Sequence, residues 1–196
     1  MAPNVFGDPI TDETLKALPE YANKEITTTD RAQVALSRKL SPPDFPVKVF
    51  GYIYNATGHP LKYASYYDWA GHVEETFPYP QTIENGQWGS FLHIGDYPPG
   101  QTGERKSTAA VIYDAENGLV EGRSKWVLAW HAGAFTTFKA YGTFPPNWED
   151  VRQKLFDSDH QKTDAAYGLK ATVAITDGNS PTFHATITLD QPLSNA

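Results

Sequence analysis

The 196-residue sequence contains no cysteine. That absence removes disulfides, thiol nucleophiles, cysteine-ligated zinc and iron–sulfur clusters together, and it suits a reducing compartment. No run of about 18 apolar residues occurs, so no segment reads as a membrane-spanning helix. Basic residues are in deficit, with 16 Lys and Arg against 23 Asp and Glu, a formal charge of −7. Nucleic acid selects clustered Lys and Arg, and anionic lipid attracts the same residues, so neither is an expected partner. A membrane partner of so acidic a chain has zwitterionic headgroups. The opening MAPNVFGDPITDETLKALPE has neither the basic nor the apolar region of a secretory signal, and synthesis in the cytosol without a signal peptide is expected.

Catalytic and metal-binding patterns are equally scarce. None of the six histidines has a His-x-His or His-Glu-x-x-His partner. His72 and Glu74 have the spacing of a deaminase His-x-Glu, but the cysteines that complete such a site do not exist here. There is no Gly-x-Ser-x-Gly elbow, and GQTGERKS at 100–107 lacks the Gly-Lys pair of a phosphate loop. The adjacent acids Glu74 and Glu75, or Glu149 and Asp150, read as solvated or as matched to a helix dipole. No enzyme activity, cofactor or metal is expected.

The chain is read as one domain with a helical segment over 1–46 packed on it. TDETLKAL and DRAQVALSRKL read as short helices, and SPPDFP ends the segment. Strand-like runs follow: VKVFGYIYN, LKYASYYDW, WGSFLHI, STAAVIYD, KWVLAWH, LKATVAIT and TFHATITL, punctuated by ATGHP, ENG, YPPG and DGNSP. Short strands in series without βαβ alternation predict a mainly β protein, an antiparallel β-sandwich with flanking short α-helices. One later helix is expected at NWEDVRQKLF, capped by Asn147, with Trp148, Val151, Leu155 and Phe156 on one face.

What is abundant is aromatic side chains, at 13%. Trp126, Leu128 and Trp130 alternate along one strand and are expected in the core. Phe135 and Phe138 border Gly-Ala and Thr-Thr in what reads as a loop, with Tyr141 close behind. For Phe135 and Phe138 both core and interface remain open. Exposed rings in loops serve interfacial membrane binding, quaternary-ammonium recognition and sugar binding alike.

The blocks IYNATGHPL, DWAGH, YPQTIENGQWGSFLH, STAAVIY and WVLAW resemble the plant 23-kDa jasmonate-induced protein family, and the likeness runs over about residues 1–190. The same blocks and the MAPNVFGDPIT start resemble lipid-binding mushroom members of that superfamily. The resemblance implies binding of sphingomyelin–cholesterol mixtures and an actinoporin-like fold. KWVLAWHAGAFTTFKAYG resembles the actinoporin strand and its membrane-touching loop, and NWEDVRQKLF falls where actinoporins carry the helix beside their phosphocholine pocket. By that likeness Phe138 falls on an inserting loop tryptophan, Trp148 on a pocket tyrosine, Thr108 on a pocket valine and His131 on a pocket serine. Arg152 and Gln153 stand where pocket tyrosines are expected, and Gly133 where a proline is, which displaces the pocket towards Tyr66, Tyr67 and Trp69.

The resemblance therefore implies a monomer that binds sphingomyelin- and cholesterol-rich membranes peripherally through their phosphocholine headgroups, at the outer surface of target-cell plasma membranes. Phe135, Phe138, Tyr141, Trp148, His131, Thr108, Tyr66, Tyr67 and Trp69 are the candidate lipid-binding residues. A non-lytic mode is expected, because TDETLKAL between Pro9 and Pro19 extends only about 12 Å as a helix. The rivals are a lectin that uses the same rings and a lipid hydrolase.

Overall fold

A computed structural model describes residues 4–9, 47–97, 100, 104–116, 124–131, 134–140, 145–178 and 180–190. Twelve strands and one helix lie among them: β1 (Val5–Phe6), β2 (Lys48–Ala56), β3 (Leu61–Ala70), β4 (His72–Val73), β5 (Thr82–Ile83), β6 (Trp88–Ile94), β7 (Thr108–Ala115), β8 (Ser124–Trp130), β9 (Ala134–Ala140), α1 (Trp148–Phe156), β10 (Gln161–Ala166), β11 (Leu169–Ile175) and β12 (Thr182–Leu189). They form two sheets. The first runs β1-β6-β2-β12-β11-β10 with β4 also on β6, and the second runs β5-β3-β7-β8-β9.

Period-two alternation builds the interior. Val49 and Ile53 of β2, Phe91 of β6, Val173 of β11 and Phe183 of β12 meet Val111, Tyr113, Trp126, Leu128 and Trp130 from the second sheet. The expected Trp126, Leu128 and Trp130 are all fully buried. Gly51 makes this packing possible: an added Cβ there would sit 1.9 Å from Phe91 Cζ, so the ring lies directly over bare backbone.

Each sheet also carries a covered outer face. On the first, Tyr52, Tyr54, Trp88 and Leu92 gather under Phe77. On the second, Ala110, Ile112, Val127 and Ala129 receive Val151 and Leu155 of α1. Alanines at the contact let the helix lie close, and burying each of the two helix side chains contributes roughly 1.5–3 kcal/mol. Asn147 caps the helix as expected, its side chain accepting from the Glu149 and Asp150 amides. Phe156 departs from expectation and is 45% exposed.

The two-sheet, mainly β architecture agrees with the sequence reading, with four corrections. First, β12 pairs with β2 in parallel, so the first sheet is mixed and not wholly antiparallel. Second, AFTTFKA is no loop: β9 pairs with β8, placing Phe135 opposite Ala129 and Phe138 opposite Trp126. Flanking glycines and threonines disguise this edge strand. Third, QKTDAA is strand β10, whose polar edge-strand sequence offers no hydrophobic period. Fourth, within the segment read as helical, Val5 and Phe6 form a strand on β6, fixed by Asn4 Nδ2 donating to the Ser90 carbonyl at 3.0 Å. The helices read at 11–18 and 30–40 lie outside the described residues.

Candidate functional site

Strand β3 delivers the first part of the site. Its register slips between Tyr63 and Ser65, so Tyr63 and Tyr66 share the inner parity while Ala64, Tyr67 and Trp69 fall to the outer one. The outer residues meet the start of α1. Tyr67 stacks on Trp148 with ring centroids 4.7 Å apart and planes 20° from parallel, and Trp69 sits edge-on to both at 5.2 and 6.0 Å. Tyr67 stays 39% exposed, so the cluster presents ring surface to solvent.

The second part lies beside it. Thr108 at the start of β7 and His131 just after β8 share the outer parity with Trp69, at the same end of the sheet. Thr108 Oγ1 is 2.7 Å from His131 Nδ1. Helix α1 crosses the strands from Tyr67 to His131, ending with the Phe156 ring 4.8 Å from the His131 ring. Arg152, one turn after Trp148, holds its guanidinium 5.2 Å from the Phe156 ring centre, and its Nε is buried without a hydrogen-bond partner. Burial pushes the His131 pKa down, and the positive charges of Lys106 and Arg152 push it the same way. An imidazole held neutral, hydrogen-bonded to a buried hydroxyl and with two cations acting on it, thus lies at the end of the sheet that carries the aromatic cluster.

The nine sequence candidates separate cleanly. Tyr67, Trp69, Trp148, Thr108 and His131 come together at this end of the sheet. Tyr66 does not: it turns to the inner side, its ring 5.6 Å from that of Tyr79. Phe135 and Phe138 stand on strand β9, opposite Ala129 and Trp126 of β8, and not in a loop. Tyr141 lies outside the described residues. Lys106, Arg152 and Phe156 were not among the candidates, although Arg152 marked a departure from the actinoporin pattern.

Sequence reasoning also missed a buried polar chain behind the site. His93 Nε2 lies 3.2 Å from Asp68 Oδ1, His93 Nδ1 lies 2.8 Å from Ser107 Oγ, and Trp130 Nε1 donates to the same hydroxyl at 3.1 Å. The three residues are those of a charge-relay set. Yet His93 is fully buried, burial lowers its pKa against the partly opposing hydrogen bond and charge of Asp68, and Ser107 is 7% exposed. The Ser107 hydroxyl bonds to His93 of the first sheet and accepts from Trp130 of the second, which ties the two sheets together. No short motif links positions 68, 93 and 107. Among the described residues no group of three or more His, Asp or Glu is placed to hold a metal.

Comparison with known proteins places the chain among relatives. The model of a family described as "Nakanori-like protein" matches residues 46–190. A 23 kDa jasmonate-induced protein from Hordeum vulgare is 31% identical, over 92% of this chain and 95% of that one. The crystal structure of the lipid binding protein Nakanori superposes with a TM-score of 0.67 at 20% identity, covering 94% of this chain and 99% of that one, and the two share one fold. A Xerocomus chrysenteron lectin shows a looser likeness, with a TM-score of 0.44 and 12% identity over 72% of this chain and 97% of that one.

Proposed function

Because the chain belongs to the Nakanori-like family, we propose that it binds lipid, and that its ligand is the phosphocholine headgroup of sphingomyelin in cholesterol-containing bilayers. A solved structure with this fold is that of a lipid binding protein, which supports the lipid part of the reading. The observation that carries the rest is the nearness of one exposed and two partly buried rings to cations at one end of the second sheet. Choline carries a quaternary ammonium, which ring faces attract by roughly 0.5–2 kcal/mol each. The faces of Tyr67, Trp148 and Trp69 are suited to it. Phosphate carries the opposite charge, and the Arg152 and Lys106 side chains beside His131 are suited to that.

Headgroup contacts alone do not separate sphingomyelin from phosphatidylcholine, because the two share the head. Selectivity requires the amide and hydroxyl of the ceramide, or the packing that cholesterol imposes. The binding is peripheral and non-lytic in this reading. No described helix is long and apolar enough to cross a membrane. In this reading the protein is a binder and not a hydrolase, which the engagement of Asp68, His93 and Ser107 in buried hydrogen bonds supports, and it acts at the outer leaflet of target membranes.

Co-sedimentation with sphingomyelin–cholesterol and with phosphatidylcholine–cholesterol vesicles tests the proposal. Strong binding to the first and weak binding to the second is expected. Equal binding to both removes the sphingomyelin selectivity, and binding to neither removes the function.

A further inference from the structure

Tyr66 and Asp68 lie on the face of β3 opposite to the one that carries the aromatic cluster. They stand across from Val111 and Ala109 with no bulge between them, so their side chains are neighbours on that face. Tyr63, across from Tyr113, precedes Tyr66 on the same face. The face turns towards the first sheet, but β5 pairs with β3 only at Leu61 and Lys62, and beyond them the row is partly open. Tyr66 is 47% exposed, Tyr63 is partly buried and the Asp68 side chain is 19% exposed. Tyr79 forms the floor of the row, its ring centre 5.6 Å from that of Tyr66 and 6.2 Å from that of Tyr63. Burial raises the pKa of the Tyr63 and Tyr79 phenols, and the nearby charge of Asp68 adds to it, as expected of a carboxylate beside both hydroxyls.

The carboxylate and the rings select the same kind of ligand. Asp68 Oδ1 lies 3.2 Å from His93 Nε2, whereas Oδ2 has no partner among the described residues and is not sealed from solvent. Burial holds the His93 pKa below its usual value against the pull of Asp68, so the imidazole meets the carboxylate as a neutral donor. The negative charge of Asp68 thus persists beside the Tyr66 ring, and ring faces attract cations as well. The open oxygen narrows the choice. A quaternary ammonium has no N–H, so covering Oδ2 would cost that oxygen its water without a replacement. A primary ammonium donates to Oδ2 and lays its methylenes on the Tyr66 ring. We propose that the Tyr66–Asp68 face of β3 is a second binding site, for a protonated primary amine, supplied either free or as the ethanolamine headgroup of a phospholipid.

The test titrates the whole protein with ethanolamine, putrescine and choline at constant ionic strength, read by saturation-transfer NMR. It also sediments the protein with phosphatidylcholine vesicles with and without phosphatidylethanolamine. Saturation transfer to both amines is expected, at lower concentration than to choline. Asp68→Asn keeps an oxygen for the His93 N–H and should weaken amine binding about tenfold. Tyr66→Ala removes a largely exposed ring and should weaken it about threefold, while Tyr67→Ala leaves it unchanged. If Asp68→Asn lowers the melting temperature, Tyr66→Ala alone decides. Amine binding with these dependences, and no effect of phosphatidylethanolamine, supports a free amine as the source. Phosphatidylethanolamine-dependent sedimentation that Tyr66→Ala abolishes supports the lipid headgroup. No transfer to either amine up to about 50 mM, together with no phosphatidylethanolamine dependence, overturns the proposal. So does amine binding that survives the Tyr66 variant or is lost in Tyr67→Ala, and so does choline bound as tightly as ethanolamine. Sphingomyelin–cholesterol vesicle binding, measured alongside, should be the same in Tyr66→Ala as in the parent protein, so the two sites fail separately.

Discussion

At the scale of the residue, the site and the core make different demands, and substitutions separate them. Tyr67 is partly exposed and stacked on Trp148, so Tyr67→Ala removes ring surface from the site without opening the core. We predict that it weakens sphingomyelin–cholesterol vesicle binding by about tenfold, the equivalent of one good ring contact at 1.4 kcal/mol per decade, with little change in melting temperature. Unchanged binding in sedimentation would take Tyr67 out of the site. Gly51→Ala belongs to the opposite class. Its Cβ would collide with a fully buried phenyl ring, and about 1–3 kcal/mol of stability is expected to vanish, read as an earlier thermal melt. Histidines set the acid limit. Burial lowers the pKa of both His93 and His184, so the unfolded chain takes up protons near pH 6.5 while the native state does so only further down. Stability is therefore complete above about pH 6.5 and falls as the pH drops through that value, by about 1.4 kcal/mol per pH unit for each such proton. Urea unfolding at a series of pH values measures the slope. His184→Phe keeps a ring against Trp88, on which His184 now stacks at 4.9 Å, and should remove its share of the slope. Little of this was legible residue by residue. The composition advertised aromatic recognition, but Tyr67 and Trp148 lie far apart in sequence, and only a parity set by a bulge in β3 brings them together.

At the scale of the element, legibility followed hydrophobic period. WGSFLHI and TFHATITL coincide with β6 and β12 to the residue, because apolar side chains there are bounded by turn-forming neighbours. The helix at NWEDVRQKLF announced itself by its cap and its Val151–Leu155 spacing. Strands β9 and β10 were illegible for the complementary reason: both are sheet edges, where polar and small residues are tolerated and alternation carries no signal. Helix α1 is the element on which the site depends, since it contributes Trp148, Arg152 and Phe156 while being anchored only by Val151 and Leu155 among its fully buried side chains. Asn147→Ala should cost about 1 kcal/mol of stability by releasing the cap, and binding to vesicles should fall with it because the first turn carries Trp148. A melt lowered without any loss of binding would show that the helix start is not what positions the rings.

At the scale of the whole molecule, charge and connectivity govern behaviour. A protein of formal charge −7 meeting a zwitterionic bilayer gains little from long-range attraction, so vesicle binding should change little between low and physiological salt. A steep loss with added salt, seen by the same sedimentation, would reveal an anionic ligand instead. Vesicles loaded with dye are expected to stay sealed at saturating protein, and rapid release would point to an insertion element beyond the described helix. The parallel seam between β2 and β12 bears on how the molecule is made. On the ribosome β2 emerges well before the strand that covers its open side, with the entire second sheet translated between them. At about 10 residues per second, β2 waits roughly ten seconds with a line of unpaired amides and carbonyls exposed. Its interior side chains stay uncovered for as long. Until β12 arrives that edge of β2 is open to pairing with another chain, and deletion of β12 should yield a protein that aggregates or is degraded, read by its soluble yield, and not one that is merely less stable.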